Sequence, residues 1–268
     1  MGALRLSIEH MTVLGLDPGD IITVGESCGA PFVSLILDSG RYRLPLRSFL
    51  GHAGLVSDIG ARLRSSPVKV HAAEGFLIDG TDGLDRHKRL LDIAARLGIE
   101  RGIVLIVDPD RARATADFAA LCALAEPLGL QMSIEFVATT EVPALVDAAL
   151  VVRKSGCANA AISVDILHLV RSGGSPGDLK ASGGPFGAAQ LCDGPLSLPR
   201  DQWNAEGLGG RLLPGEGEFP VVEFIAALPD DLVLGIEVPR GLVASIDDGV
   251  AIARSAIVAT RRLTDRLA

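Results

Sequence analysis

The sequence predicts a single-domain α/β protein, a (β/α)8 or TIM barrel over residues 1–268, and three observations predict it. The length suits one barrel and leaves no surplus for a second domain. From about residue 67 onward, short β-branched runs alternate with segments of helical period, the pattern of βα units that build a parallel sheet. Eight strand candidates can be counted, at 4–9, 32–37, 68–73, 103–107, 132–137, 160–165, 186–192 and 232–238, and eight is the number that closure of a barrel requires.

The helices between them follow one grammar. Leu84, His87, Leu91, Ala94 and Leu97 recur at helical spacing and stop at Gly98. Phe118, Leu121, Ala125 and Leu128 do the same and stop at Gly129, and a third helix from about Glu141 ends at Gly156. The last helix, 248–267, starts behind acidic residues and carries Ala253, Ala256, Ile257, Thr260 and Leu263 on one face, so it packs on the outside and finishes the ring. An open doubly wound sheet is the rival architecture, but its nucleotide-binding form would show G-x-G-x-x-G after the first strand or a phosphate loop, and neither occurs. Two stretches break the rhythm, 171–187, rich in Gly, Ser and Pro, and 194–220, which holds Trp203. Both are expected as extended rim loops after the sixth and seventh strands, the place where barrels build their sites.

Composition narrows the function. A net charge of -8 leaves no basic surplus for phosphate backbones, which disfavours nucleic acid and favours a small-molecule substrate. No apolar run approaches a membrane span, and Arg5, Glu9 and His10 interrupt the N-terminal segment where a signal peptide needs unbroken apolar residues. A cytoplasmic protein is therefore expected. Cys28, Cys122, Cys157 and Cys192 lie far apart without a CxxC pair and read as reduced thiols.

Four strands end in a residue able to bind a metal: Ser133-Ile134-Glu135, Ser163-Val164-Asp165, Ala188-Ala189-Gln190 and Gly235-Ile236-Glu237. Side chains alternate across a strand, so Ser133, Ser163, Ala188 and Gly235 share the ligands' inward face and, being small, leave room at the barrel mouth. Three carboxylates converging in a buried place need a cation. Three carboxylate oxygens and one amide oxygen form a hard ligand set that favours Mn2+ or Mg2+, with Zn2+ or Co2+ as alternatives.

The segments Ile134-Glu135-Phe136, Asp165-Ile166-Leu167-His168, Gln190-Leu191-Cys192-Asp193, Arg211-Leu212-Leu213-Pro214-Gly215-Glu216-Gly217 and Ile236-Glu237 resemble, in order and spacing, the sugar phosphate isomerase/epimerase family, the xylose-isomerase-like barrels. The resemblance covers roughly the last half of the chain; the first half shares only barrel periodicity. It implies a divalent metal held by Glu, Asp, His and Glu of the late strands, and isomerisation, epimerisation or dehydration of polyhydroxylated carbonyl compounds. Gln190 departs from that pattern, standing where many members place His.

On this reading the metal ligands are Glu135, Asp165, Gln190 and Glu237, and the metal polarises a substrate carbonyl. Glu135 and Glu237 serve as the proton-transfer groups that form and quench an enediolate. His168 is expected to bond a substrate oxygen or to join the metal, unless it merely caps the next helix. Arg211 is expected to clamp a hydroxyl, carboxylate or phosphate, unless it is a solvated loop arginine. Trp203 can supply an apolar wall, His71 reads as a packed histidine, and Glu9 and Glu74 stand near the same mouth without an assigned role. The leading expectation is an isomerase or epimerase of a keto-sugar or related polyol. A dehydratase of a keto-inositol or 3-keto sugar would use the same residues, and a non-catalytic binding barrel is the third reading. An apurinic-site endonuclease is remote, since five histidines and an acidic balance suit neither its metals nor DNA. Substrate identity and any homo-oligomeric state are left open.

Overall fold

A computed structural model describes residues 4–39, 44–81 and 83–265, and the last residues of the expected final helix lie outside them. Its eight strands are β1 Arg5–Ile8, β2 Phe32–Ile36, β3 Lys69–Ile78, β4 Arg101–Ile106, β5 Gln131–Glu135, β6 Ala160–Asp165, β7 Phe186–Leu191 and β8 Val233–Ile236. They close in sequence order into one barrel, every pair parallel, with β1 returning to β8. Helices α1 Pro18–Cys28, α2 Ala53–Arg64, α3 Leu84–Arg96, α4 Arg111–Ala125, α5 Leu145–Ser155, α6 Ile166–Arg171 and α7 Pro176–Ser182 follow the first six strands. The short α8 Trp203–Ala205 and α9 Val221–Ile225 come before β8, and α10 Ile246–Thr264 packs against α1 to close the ring. No described helix is long and apolar enough to cross a membrane.

The sequence patterns map onto this frame for physical reasons. The turns after α3, α4 and α5 place Gly98, Gly129 and Gly156 at φ 71°, 74° and 66°, the left-handed conformation expected of helix-closing glycines. Strand parity separates two cores. Ile134, Val164, Ala189 and Ile236 belong to the large apolar layer between barrel and helices, whereas Ala72, Ile103 and Ala188 form a small cluster of their own. Beside that cluster the buried inward-facing positions are small or polar, Ser34, Ser133, Ser163 and Gly235 among them, where barrels usually stack bulky branched residues.

Two elements differ from the sequence expectation. β3 does not stop at Ala73 but runs to Ile78 through an irregularity between Ala73 and Phe76. Gly75 makes this possible: its φ is 106°, and a Cβ there would lie 2.4 Å from the Asp38 carbonyl oxygen. The stretch 171–187 carries α7, started by a capping box between Ser175 and Asp178 with Pro176 in its first turn, a signal hidden inside the Gly- and Ser-rich composition. The stretch after β7 is the longer excursion, and it holds a 3-10 turn, α8 and a π turn over Glu206–Gly210.

Gly235 shows why the small inward residues matter. A Cβ at this position would lie 2.3 Å from Glu9 Oε1, the oxygen that pairs with His71 Nε2 at 3.0 Å. Gly235→Ala therefore forces Glu9 aside and should cost about 1–3 kcal/mol, a fall of several degrees in Tm for a chain of this size. Thermal unfolding checks this, and an unchanged Tm would show that Glu9 moves freely.

Candidate active site at the barrel mouth

Each acidic residue reaches the mouth by its strand. Glu135 and Asp165 are the last residues of β5 and β6, and Glu237 follows β8 directly. Register sets Asp165 beside Gln190 and Gln190 beside Gly235. Asp165 is fully buried and does two jobs. Its Oδ1 accepts the Leu167 N–H at 2.8 Å and so caps α6, while its Oδ2 accepts a hydrogen bond from Arg211 Nη1 at 2.5 Å. The cap fixes the first turn of α6 and with it His168, whose Nε2 lies 3.8 Å from Glu135 Oε1 and 4.0 Å from Asp165 Oδ2.

Arg211 comes from the excursion after β7. Asp193 and Leu212 form an antiparallel bridge at its base, and the Asp193 carboxylate gathers the N–H groups of Gly194, Gly215 and Phe219 at 2.8–2.9 Å. Arg171 holds the outer part: its guanidinium binds both Glu206 oxygens at 2.5 and 2.7 Å, donates to the carbonyls of Pro195 and Leu196, and lies over the Phe219 ring. So anchored, the excursion returns Arg211 to the barrel, 5% exposed, with Nη1 2.9 Å from Glu237 Oε2 and Nε donating to the Gly207 carbonyl. Arg211 is thus not a solvated loop residue; it is a buried cation between Asp165 and Glu237.

These groups face a cavity of about 450 Å³. Glu74, Glu135, His168, Arg211 and Glu237 line it, as does Trp203, whose indole N–H is occupied by the Leu198 carbonyl. Gln190 does not line it: the side chain is buried, and neither amide atom has a hydrogen-bond partner among the described residues. His71 is packed as expected, edge-on to Phe32 and paired with the buried Glu9.

The low-dielectric setting drives the protonation states apart. Burial pushes the Glu135 carboxyl well above the ordinary carboxylate range, and the negative charges of Asp165 and Glu74 push it further. Burial likewise pushes Glu237 well above its usual range, against the opposing pull of Arg211. For Asp165 burial acts in the same sense, but Arg211, His168 and the Leu167 N–H outweigh it and hold the carboxyl below its usual range. Burial pushes His168 down to about 4, so the imidazole is neutral near pH 7. Glu74, whose Oε1 accepts from the Ser34 hydroxyl at 2.7 Å, is raised to about 7 by burial and the charge of Glu9.

Glu135, Asp165 and His168 present ligand atoms within 4.8 Å of one another. The donor set fits a divalent ion. An ionised Asp165 and a neutral His168 are the protonation states that coordination requires, and Glu135 would give up its proton to join them. The spacings of 3.8 and 4.0 Å are wider than the ~3.4 Å between neighbouring tetrahedral ligands, so a bound ion would draw the three side chains together by a few tenths of an ångström. The imidazole enters this group through α6, whereas the sequence reading set Gln190 and Glu237 beside the two acids.

No protein-family model and no curated protein matches the sequence. Solved structures do match it. The IolI protein, determined with a bound zinc atom, superposes with a TM-score of 0.75 at 16% identity, covering 97% of this chain and 96% of that one. D-psicose 3-epimerase, determined in the presence of D-fructose, gives 0.74 at 17% identity over 97% and 99%. A xylose isomerase-like TIM barrel/4-hydroxyphenylpyruvate dioxygenase fusion protein gives 0.81 at 17% identity, with 98% of this chain matched to 43% of the longer one. At such identities the likeness is one of fold: the chain has the fold of the xylose-isomerase-like barrels.

Arg211→Leu tests the electrostatics of the mouth. Removing the guanidinium leaves Asp165 facing Glu237 without compensation, which should cost about 3–5 kcal/mol at neutral pH. Asp165 has a depressed carboxyl in the folded state, so its share of the wild type's advantage is present above the unfolded carboxylate range and fades as pH falls through the folded one. Denaturant titrations of both proteins from neutral to acid pH measure it; a difference independent of pH would contradict the pairing.

Proposed function

We propose that this chain is a divalent-metal-dependent isomerase or epimerase that moves a proton on a keto-sugar or related polyhydroxylated carbonyl compound. The observation that carries the reading is the meeting, in one cavity, of two carboxyls held above their ordinary range, Glu135 and Glu237, with a fixed guanidinium and a neutral imidazole. A divalent ion held by Glu135, Asp165 and His168, with Glu237 and Gln190 as the further ligands read from the sequence, would polarise the substrate carbonyl and acidify the neighbouring C–H.

The residues supply the rest. Glu135 and Glu237 come from β5 and from the end of β8, so they approach a substrate from different parts of the rim. One takes the proton from carbon and the other returns it, and a carboxyl whose affinity for protons is raised toward the working pH suits either task. The guanidinium of Arg211 faces the enediolate charge, and the caps and clamps that fix it keep reorganisation small. The excursion over the mouth, with Trp203, excludes water from the reacting carbon. The fold relatives solved with zinc and with D-fructose agree with this reading but do not carry it.

A dehydratase is the second reading, and Glu74 favours it. This carboxyl lines the same cavity and is raised to about 7, so it can hand a proton to a departing hydroxyl one carbon beyond the enediolate.

Incubation with D-fructose and with a keto-inositol in deuterated water separates the outcomes. Deuterium gained at the carbon next to the carbonyl without loss of water indicates isomerisation, and a new ultraviolet-absorbing enone indicates elimination. Glu135→Gln and Glu237→Gln should each lower the exchange rate by about 10²–10⁴; full activity in both would dismiss these carboxyls as the proton carriers. Asp165→Asn and His168→Ala should weaken Mn2+ or Zn2+ binding by about tenfold or more in calorimetric titrations, and unchanged affinity in both would place the metal elsewhere.

A further inference from the structure

The cavity is built in two unlike halves. Glu135, His168, Arg211 and Glu237 gather on the side of the late strands. The opposite side and the roof are hydrocarbon: Met11, Ile36, Leu77, Ile103, Leu105 and Trp203 all line it. Leu77 and Leu105 stand side by side in the β3–β4 register, a continuous apolar strip rather than scattered contacts. Trp203 has spent its only polar atom on the Leu198 carbonyl and offers the cavity an apolar ring.

The charged groups that reach this side are largely partnered: Glu74, at its edge, accepts from the Ser34 hydroxyl, and of the two arginines only the buried Nη1 of Arg86 has no partner among the described residues. Arg86 binds Asp38 Oδ2 at 2.6 Å and the Gly75 carbonyl at 2.9 Å, and Arg171 is engaged by Glu206 and two carbonyls. Thr140 donates its hydroxyl to the Val137 carbonyl at 2.9 Å. Ser39, Thr139 and Asn204 are the other polar side chains of this part of the lining. A molecule hydroxylated along its whole length would press several hydroxyls against leucine, isoleucine and tryptophan, and each hydroxyl buried without a partner costs about 1–3 kcal/mol. The cavity volume of about 450 Å³ corresponds to ~15 water molecules, room for a ligand of a dozen or so non-hydrogen atoms.

We propose that the substrate is an amphiphilic α-hydroxycarbonyl compound, with its oxygens confined to the reacting end and a compact aromatic or alkyl group seated against the Leu77–Leu105 strip beneath Trp203. This keeps the proton-transfer chemistry of the reading above and rests on it for the reacting end only, but it replaces the polyol by a substrate with an apolar end; the seat for the hydrocarbon group stands on the cavity wall.

The probes are phenylacetylcarbinol, which joins a ketol to a phenyl ring, and D-fructose, which is hydroxylated throughout. Calorimetric titration of the purified chain should give a dissociation constant for phenylacetylcarbinol at least about tenfold below that for fructose, with a negative heat-capacity change from apolar burial. Quenching of the single tryptophan, Trp203, reports the same binding at the roof. Leu105→Asn should weaken the ketol about tenfold and fructose by less. Leu208→Ser repeats the test at a residue that lines the cavity yet is 58% exposed, so that its loss leaves folding intact. Fructose binding as tightly as the ketol, no binding of the ketol, or indifference of the ketol to both variants would overturn the proposal. Deuterium exchange at carbon, followed with both probes, keeps the two readings apart. Tight ketol binding without exchange on either compound defeats the proton-transfer reading alone. Exchange on fructose without ketol binding defeats the amphiphilic substrate alone.

Discussion

A guanidinium seated between two buried carboxylates is the constraint around which the barrel mouth is organised. Glu135, Asp165 and Glu237 converge because three strands end at one rim, and in a medium of low dielectric their mutual repulsion needs a fixed positive partner. Arg211 supplies it, and much of the chain between β7 and β8 exists to deliver that side chain. Asp193 ties the base of the excursion with three backbone N–H groups, and Arg171 ties its outer part through Glu206. Both anchors are buried, so Arg211 arrives in a set orientation instead of sampling solvent.

From this pairing the division of labour among similar residues follows. Asp165 lies closest to the guanidinium and stays ionised, which lets it hold the helix that carries His168. Glu135 has no such partner at short range and is pushed toward the neutral form, and the pull of Arg211 does not offset the burial of Glu237. Identical functional groups separated only by their surroundings are how one site acquires both an acid and a base.

Much of the fold was legible because it rests on periodicity. Strand parity sorted Ile134, Val164, Ala189 and Ile236 from their inward neighbours, and glycines after helical runs marked the turns of the middle units. The convergence of Glu135, Asp165 and Glu237 at the mouth followed from the same alternation. What lay beyond reach depended on contacts between distant parts of the chain. Nothing local shows that Arg171 meets Glu206 or that Glu9 meets His71, since each pair is joined only when separate βα units pack together. The continuation of β3 past Gly75 was missed for another reason: a glycine in a strand reads as its end unless the approach of the Asp38 backbone is known. The burial of Arg211 was also hidden, because a Gly-rich neighbourhood looks like a solvated loop until its anchors are seen. The helical position of His168 was available in the spacing from Asp165, an aspartate cap followed by a third residue on the first turn, but its meeting with Glu135 was not.

The two faces of the cavity draw mainly on different halves of the chain, with Trp203 and Glu74 as the crossovers. Glu135, His168, Arg211 and Glu237 all lie beyond residue 130, whereas Met11, Ile36, Leu77, Ile103 and Leu105 all lie before it. A change at Leu77 or Leu105 can therefore remodel what is recognised while leaving Glu135 and Glu237 in place, and a change at those two carboxyls can alter reactivity while preserving the β3–β4 wall. Such a layout makes the barrel a ready subject for recombination: front halves exchanged between relatives would carry most of the apolar wall with them, and the back half would keep Glu135, His168, Arg211 and Glu237.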